Sequence, residues 1–122
     1  MPVNKEMLVR MLQYMRPSGS MTERKFCDVY LEPVCDYYDA AGNYIKIIGK
    51  RPNICFTSHY DTVHNKDGFQ KVIVDGNKAT SDADCLGADC TTGVWLMLGM
   101  IEAGVEGVYV FHAAEEIGCV GS

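Results

Sequence analysis

The sequence predicts an α/β fold with a mixed, mainly parallel central sheet flanked by helices. Three observations carry this expectation. Two short apolar runs, Asn53–His59 and Gly107–Ala113, flank a longer helical segment, the order that makes parallel neighbours in one sheet. Near the start, Met7, Leu8, Met11, Leu12 and Met15 recur at helical spacing. Between the two runs lies Asp75-Gly76-Asn77, a hairpin signal.

In chain order, residues 4–16 read as an amphipathic helix stopped by Pro17. Ser20–Glu23 (SMTE) has capping-box spacing and opens a second helix over residues 22–31, before Pro33. Gly42-Asn43 is a turn, and Asn43–Gly49 alternates as a strand should. Asn53–His59 reads as a buried strand. Phe69–Thr80 forms two short strands around the hairpin turn, and the irregular polar run SDADCLGADC follows. Thr91–Ala103 is a mostly buried helix that tolerates Gly93 and Gly99 at some cost, with Gly104 suited to its end. Gly107–Ala113 suits an interior strand. Trp95 and Met97 belong to the core, whereas Tyr37 and Tyr38 read as surface aromatics. No repeat, low-complexity segment or linker interrupts the chain, so one domain is expected.

At 122 residues the chain is long enough to bury a real core. Its net charge of −5, with no Lys/Arg stripe, argues against nucleic acid. No apolar run approaches the ~20 residues that span a bilayer, so no membrane partner is expected. The N-terminal stretch alternates charged and apolar residues and does not read as a signal peptide. Six cysteines without an export signal or a C-x-x-C pair point to reduced thiols and a cytoplasmic protein. Nothing in the sequence sets the oligomeric state.

Three polar clusters fall where the strand ends would gather a ligand. His59 and Asp61 follow the first apolar run. Asp82, Asp84 and Asp89 precede the long helix, and Glu115 and Glu116 follow the second run. Histidine with carboxylates is ligand chemistry for zinc, with cobalt or manganese as substitutes. In an extended segment His59 and Asp61 share a face, which suits an imidazole that binds metal while a carboxylate holds its other nitrogen. Adjacent Glu115 and Glu116 cannot share a face, so one could ligate and the other carry protons. Taken alone, His59 and Asp61 also fit a solvated loop pair. His64 reads as an exposed loop histidine, His112 as a hydrogen-bonded strand residue, and Asp82 and Asp84 as turn or helix-start residues.

In that order, SHYDTV, LGADCTTG and AEEIG resemble the co-catalytic di-zinc metallopeptidases, which include peptidase T, glutamate carboxypeptidase and aminoacylase types. The resemblance runs from about residue 53 to the last residue. It implies a zinc-peptidase-like three-layer fold and two zinc ions. It also implies His59 as a ligand of one metal, Asp61 as the carboxylate orienting it, and Asp89 as the bridge between both metals. Glu115 becomes the general base and acid, and Glu116 a ligand of the second metal. A cis peptide bond at Asp89-Cys90 is a further implication.

Two departures from the pattern matter. Cys90 stands where family members often carry an acidic residue; its plain reading is a buried inert thiol, and the alternative is a thiol that competes as a soft ligand. The pattern also needs another carboxylate and another histidine beyond the E-E pair, where this chain ends with Ser122. The expectation is therefore that residues 1–122 are the N-terminal portion of a zinc-peptidase catalytic domain. Its parent would hydrolyse amide bonds in short peptides as an aminopeptidase or dipeptidase. The alternatives are a deacylase of N-acyl amino acids and a truncated, non-catalytic metal-binding domain.

Overall fold

The computed structural model describes residues 2–113. Helix α1 (Lys5–Leu12) starts at Asn4, whose side chain accepts a hydrogen bond from the Met7 amide. It ends earlier than the amphipathic pattern suggests. The apolar periodicity continues through Met15, but Tyr14–Met15 leaves the helix as β1 and pairs antiparallel with β5 (Gly68–Phe69). Tertiary pairing has overridden local periodicity.

The predicted second helix is present, although its second half changes winding. In α2 (Met21–Phe26), Ser20 Oγ accepts from the Glu23 amide, while Glu23 Oε1 accepts from the Gly19 amide. Cys27–Leu31 continues as a π-helical turn, closed by the Glu32 amide donating to the Cys27 carbonyl.

The central sheet runs β2 (Tyr37–Tyr38), β3 (Tyr44–Ile48), β8 (Gly107–His112), β4 (Cys55–His59). Only β4 and β8 are parallel, in register from Cys55 opposite Val108 to His59 opposite His112. The other two pairings are antiparallel, so the sheet is mixed and not mainly parallel among the described residues. A tight turn explains one of them. Asp39 accepts from the Ala41 and Asn43 amides and from the Asn43 side chain, and so reverses β2 into β3. Asn43 Oδ1 in turn accepts from the Ala113 amide and steadies the exit of β8. Among the described residues, β4 is the last strand of the sheet, with Cys55 and Thr57 exposed, where its composition suggests a buried position. The hairpin is β6 (Val72–Asp75) and β7 (Lys78–Ser81), with Gly76 in the left-handed region.

Helix α3 (Ala88–Glu102) buries Thr91, Val94, Met97 and Leu98 but leaves Leu96 exposed. Trp95 is half-buried, and its indole donates to the Asn4 carbonyl. One core joins Met7 and Met11 of α1, Phe26, Tyr30 and Leu31 of the second helical segment, α3, and Tyr109 and Phe111 from one face of β8. The alternate residues Val108 and Val110 are half-buried, opposite Ile47 and Ile45. Among the described residues the helices contribute to this single core. No described helix is long and apolar enough to cross a membrane.

Candidate metal centre

Strand β4 delivers His59 at its carboxyl end, level with His112 of β8, and the Tyr60 amide extends the ladder by donating to the His112 carbonyl. The chain then turns inward. Asp61 is fully buried, and the Thr62 amide donates to the Arg16 carbonyl. From the other side, Gly87, with φ of +79°, leads into α3 and presents Asp89. The Asp89-Cys90 peptide bond is cis, as the resemblance implies.

His59 and Asp89 meet here. The imidazole Nε2 lies 3.1 Å from Asp89 Oδ1, and Nδ1 lies 2.9 Å from the Asp61 carbonyl and 3.3 Å from Asp61 Oδ1. A backbone carbonyl can only accept, so Nδ1 carries a proton and Nε2 is the nitrogen directed at Asp89. Burial opposes charge on this ring. The carboxylates of Asp61 and Asp89 outweigh it and push the imidazole up to about 9. The Asp89 side chain is 90% exposed and open to solvent.

These residues fit a divalent cation such as zinc. Two ligands about 2.0–2.1 Å from one ion at a tetrahedral angle stand roughly 3.3 Å apart, close to the separation of Nε2 and Oδ1. A cation would take the place of the Nε2 proton, because metal and proton compete for one lone pair. His59, Asp89 and Cys90 can each offer a donor atom within 4.8 Å of the other two.

Behind the pair stands Arg16, fully buried, which residue-by-residue reading of the sequence did not single out. Its guanidinium donates to the Tyr60 carbonyl at 2.7 Å, to the Met11 carbonyl at 2.9 Å and to Thr91 Oγ1, and it stacks over Phe26. Burial pulls it down to about 10 against nearby acidic groups that include Glu23 and Asp61, so it stays charged at neutral pH. Thr91 Oγ1 donates onward to the Gly87 carbonyl. One cation therefore ties the exit of β4 to the start of α3. An arginine between a helix and a proline carries no sequence signal of that role.

The other predicted residues distribute differently. Glu115 and Glu116 lie outside the described residues. His64 is buried, contrary to the exposed loop position its surroundings suggest, because Thr62, Gln70 and the 85–87 segment enclose it. Asp82 and Asp84 serve the loop, accepting from the Lys71 and Asn65 amides.

No protein-family model matches the chain, and no curated protein matches it by sequence. Solved structures do resemble it. An aminoacylhistidine dipeptidase from Vibrio alginolyticus aligns over 95% of this chain and 28% of its own, with a TM-score of 0.68 and 20% identity. The aminopeptidase PepT from Bacillus cereus aligns over 98% of this chain and 39% of its own, with a TM-score of 0.72 and 23% identity. The chain thus shares its fold with part of two peptidases and spans well under half the length of either. The motif resemblance to the peptidase T group and this structural likeness point the same way.

Proposed function

We propose that this chain is the N-terminal portion of the catalytic domain of a metal-dependent hydrolase that cleaves amide bonds in short peptides, as an aminopeptidase or dipeptidase. The observation that carries the reading is the His59–Asp89 pair at 3.1 Å, backed by buried Asp61, on a fold shared with two peptidases. His59 and Asp89 would hold one zinc ion, and Asp89 together with Glu116 would hold a second. Cobalt or manganese could substitute. When bound, the metal supplies Lewis-acid charge that acidifies a water and polarises a carbonyl. The residues do the rest. Asp61 holds the His59 ring in one tautomer, and Asp89 bridges the ligand set from the α3 side. Glu115 takes a proton from the attacking water and returns it to the departing amine.

The test compares the complete protein with its Glu115→Gln variant by zinc titration and peptide hydrolysis. Zinc affinity should hold while turnover falls about 10²–10⁴-fold, the usual worth of a positioned acid–base group. A variant as fast as wild type removes Glu115 from the base role.

A further inference from the structure

We propose that Arg16 and Thr91 are positioning residues for the metal pair, setting how far apart His59 and Asp89 stand. The inference rests on the metal site proposed above and deepens it. Metal–ligand distances tolerate an error of only about 0.2 Å, so ligands from two separate segments need those segments held in register. Neither ligand sits well inside regular structure. His59 is the last residue of β4, and Asp89 lies where α3 has not yet reached helical backbone angles. The Asp89 side chain is 90% exposed, so it is aimed by its backbone, and the Gly87 cap has no side chain to steady that backbone.

Arg16 and Thr91 supply the register. Arg16 grips the exit of β4 three times. Its amide donates to Thr62 Oγ1, its carbonyl accepts from the Thr62 amide, and its Nε donates to the Tyr60 carbonyl, one residue past His59. On the other side Nη2 donates to Thr91 Oγ1, and that hydroxyl donates to the Gly87 carbonyl. Gly87 and Thr91 bracket Asp89, two residues before and two after, so one hydroxyl ties down the ligand's backbone from both ends. Nη1 donates to the Met11 and Tyr14 carbonyls and anchors the fork to α1 and β1. The two segments also touch directly, since a Cβ added at Gly87 would stand 3.1 Å from Thr62 Cγ2. Stability alone is a weak reason for a fully buried cation, because lost hydration offsets much of what its hydrogen bonds give. A rigid planar fork that joins three segments at fixed angles is geometry that lysine cannot copy.

The experiment measures zinc affinity of the complete, metal-stripped protein by competition with a chelator, at a temperature where circular dichroism shows each variant folded. Thr91→Val keeps the volume, removes the hydroxyl and should weaken zinc binding about 10–100-fold, the usual cost of losing a group that orients a ligand. Thr91→Ser restores the hydroxyl and should bring affinity back to within about threefold of wild type. Arg16→Lys keeps the charge without the fork and should lose as much as Thr91→Val. Met97→Ala, which opens the buried core further along α3, should lower Tm at least as far as Thr91→Val yet leave zinc affinity within about threefold. Wild-type affinity in Thr91→Val or Arg16→Lys, no rescue by serine, or an equal loss of affinity in Met97→Ala would each overturn the positioning role and leave the metal site standing. Zinc bound as tightly by His59→Ala as by wild type would overturn both this inference and the metal site beneath it.

Discussion

The described chain holds two clusters of the same three residue types, and they are built for opposite ends. His59, Asp89 and Cys90 form one; His64, Asp84 and Cys85 form the other. In each, a buried histidine faces an exposed carboxylate and a half-buried cysteine. The difference lies in the lone pairs. His64 Nε2 lies 2.9 Å from the Cys85 carbonyl and 3.2 Å from Gln70 Oε1, so it must carry the proton. Its Nδ1 is taken up by Thr62 Oγ1 at 2.6 Å. Both nitrogens are committed to protein. At His59 Nδ1 is committed to the Asp61 backbone, and Nε2 faces a solvent-open carboxylate that a cation can share. Residue type nominates both clusters alike, and their hydrogen bonds set them apart.

The widest separation between the clusters should appear in zinc binding. Loss of a residue that merely orients a ligand costs about 10–100-fold in affinity, so loss of a ligand itself should exceed that range. His59→Ala is expected to weaken zinc binding at least about 100-fold, and His64→Ala to leave it within about threefold by calorimetry. Equal losses would erase the distinction drawn here.

Thr62→Val attacks the closed cluster directly. Thr62 Oγ1 accepts from the Arg16 amide at 2.8 Å and pairs with His64 Nδ1, so the isosteric change strands two buried polar groups. Each is worth about 1–3 kcal/mol, and denaturant unfolding should show a loss of about 2–3 kcal/mol or more. A loss below about 0.5 kcal/mol would mean that water or rearrangement replaces these bonds, and that the second cluster is less closed than its geometry states.

The open cluster should reveal itself by pH. In the metal-free protein the His59 imidazole is raised from 6.5 to about 9. Because the folded value lies above the unfolded one, the stabilisation is fully present below 6.5 and is lost as pH rises through about 9. Asp89→Asn removes one of the two supporting carboxylates and should shrink that loss, measured as Tm of chelator-treated protein across the same window. An unchanged profile would show that Asp61 alone supports the ring.

Much of the fold could be read in advance, and the failures have physical causes. Strong local signals held: the Ser20–Glu23 cap, the Asp75–Asn77 hairpin, the apolar helix after Thr91 and the parallel pairing of β4 with β8. Tyr14 and Met15 continued a helical pattern yet joined a strand, because Phe69 and Gly68 offered pairing partners 55 and 53 residues away. The apolar run of β4 suggested an interior strand, but among the described residues it ends the sheet, and composition cannot distinguish the two positions. His59, Asp61 and Asp89, which the structure brings together, could be named from the motifs, while Arg16 could not, since its partners are mostly backbone carbonyls.

By itself the sequence determined the elements and the residue types that can bind a cation, because capping, periodicity and turn chemistry act over a few neighbouring residues. Only the tertiary structure decided which histidine has a nitrogen facing a ligand and which cysteine stands beside it. Those outcomes depend on chain segments about thirty residues apart meeting within hydrogen-bond distance, as His59 and Asp89 do.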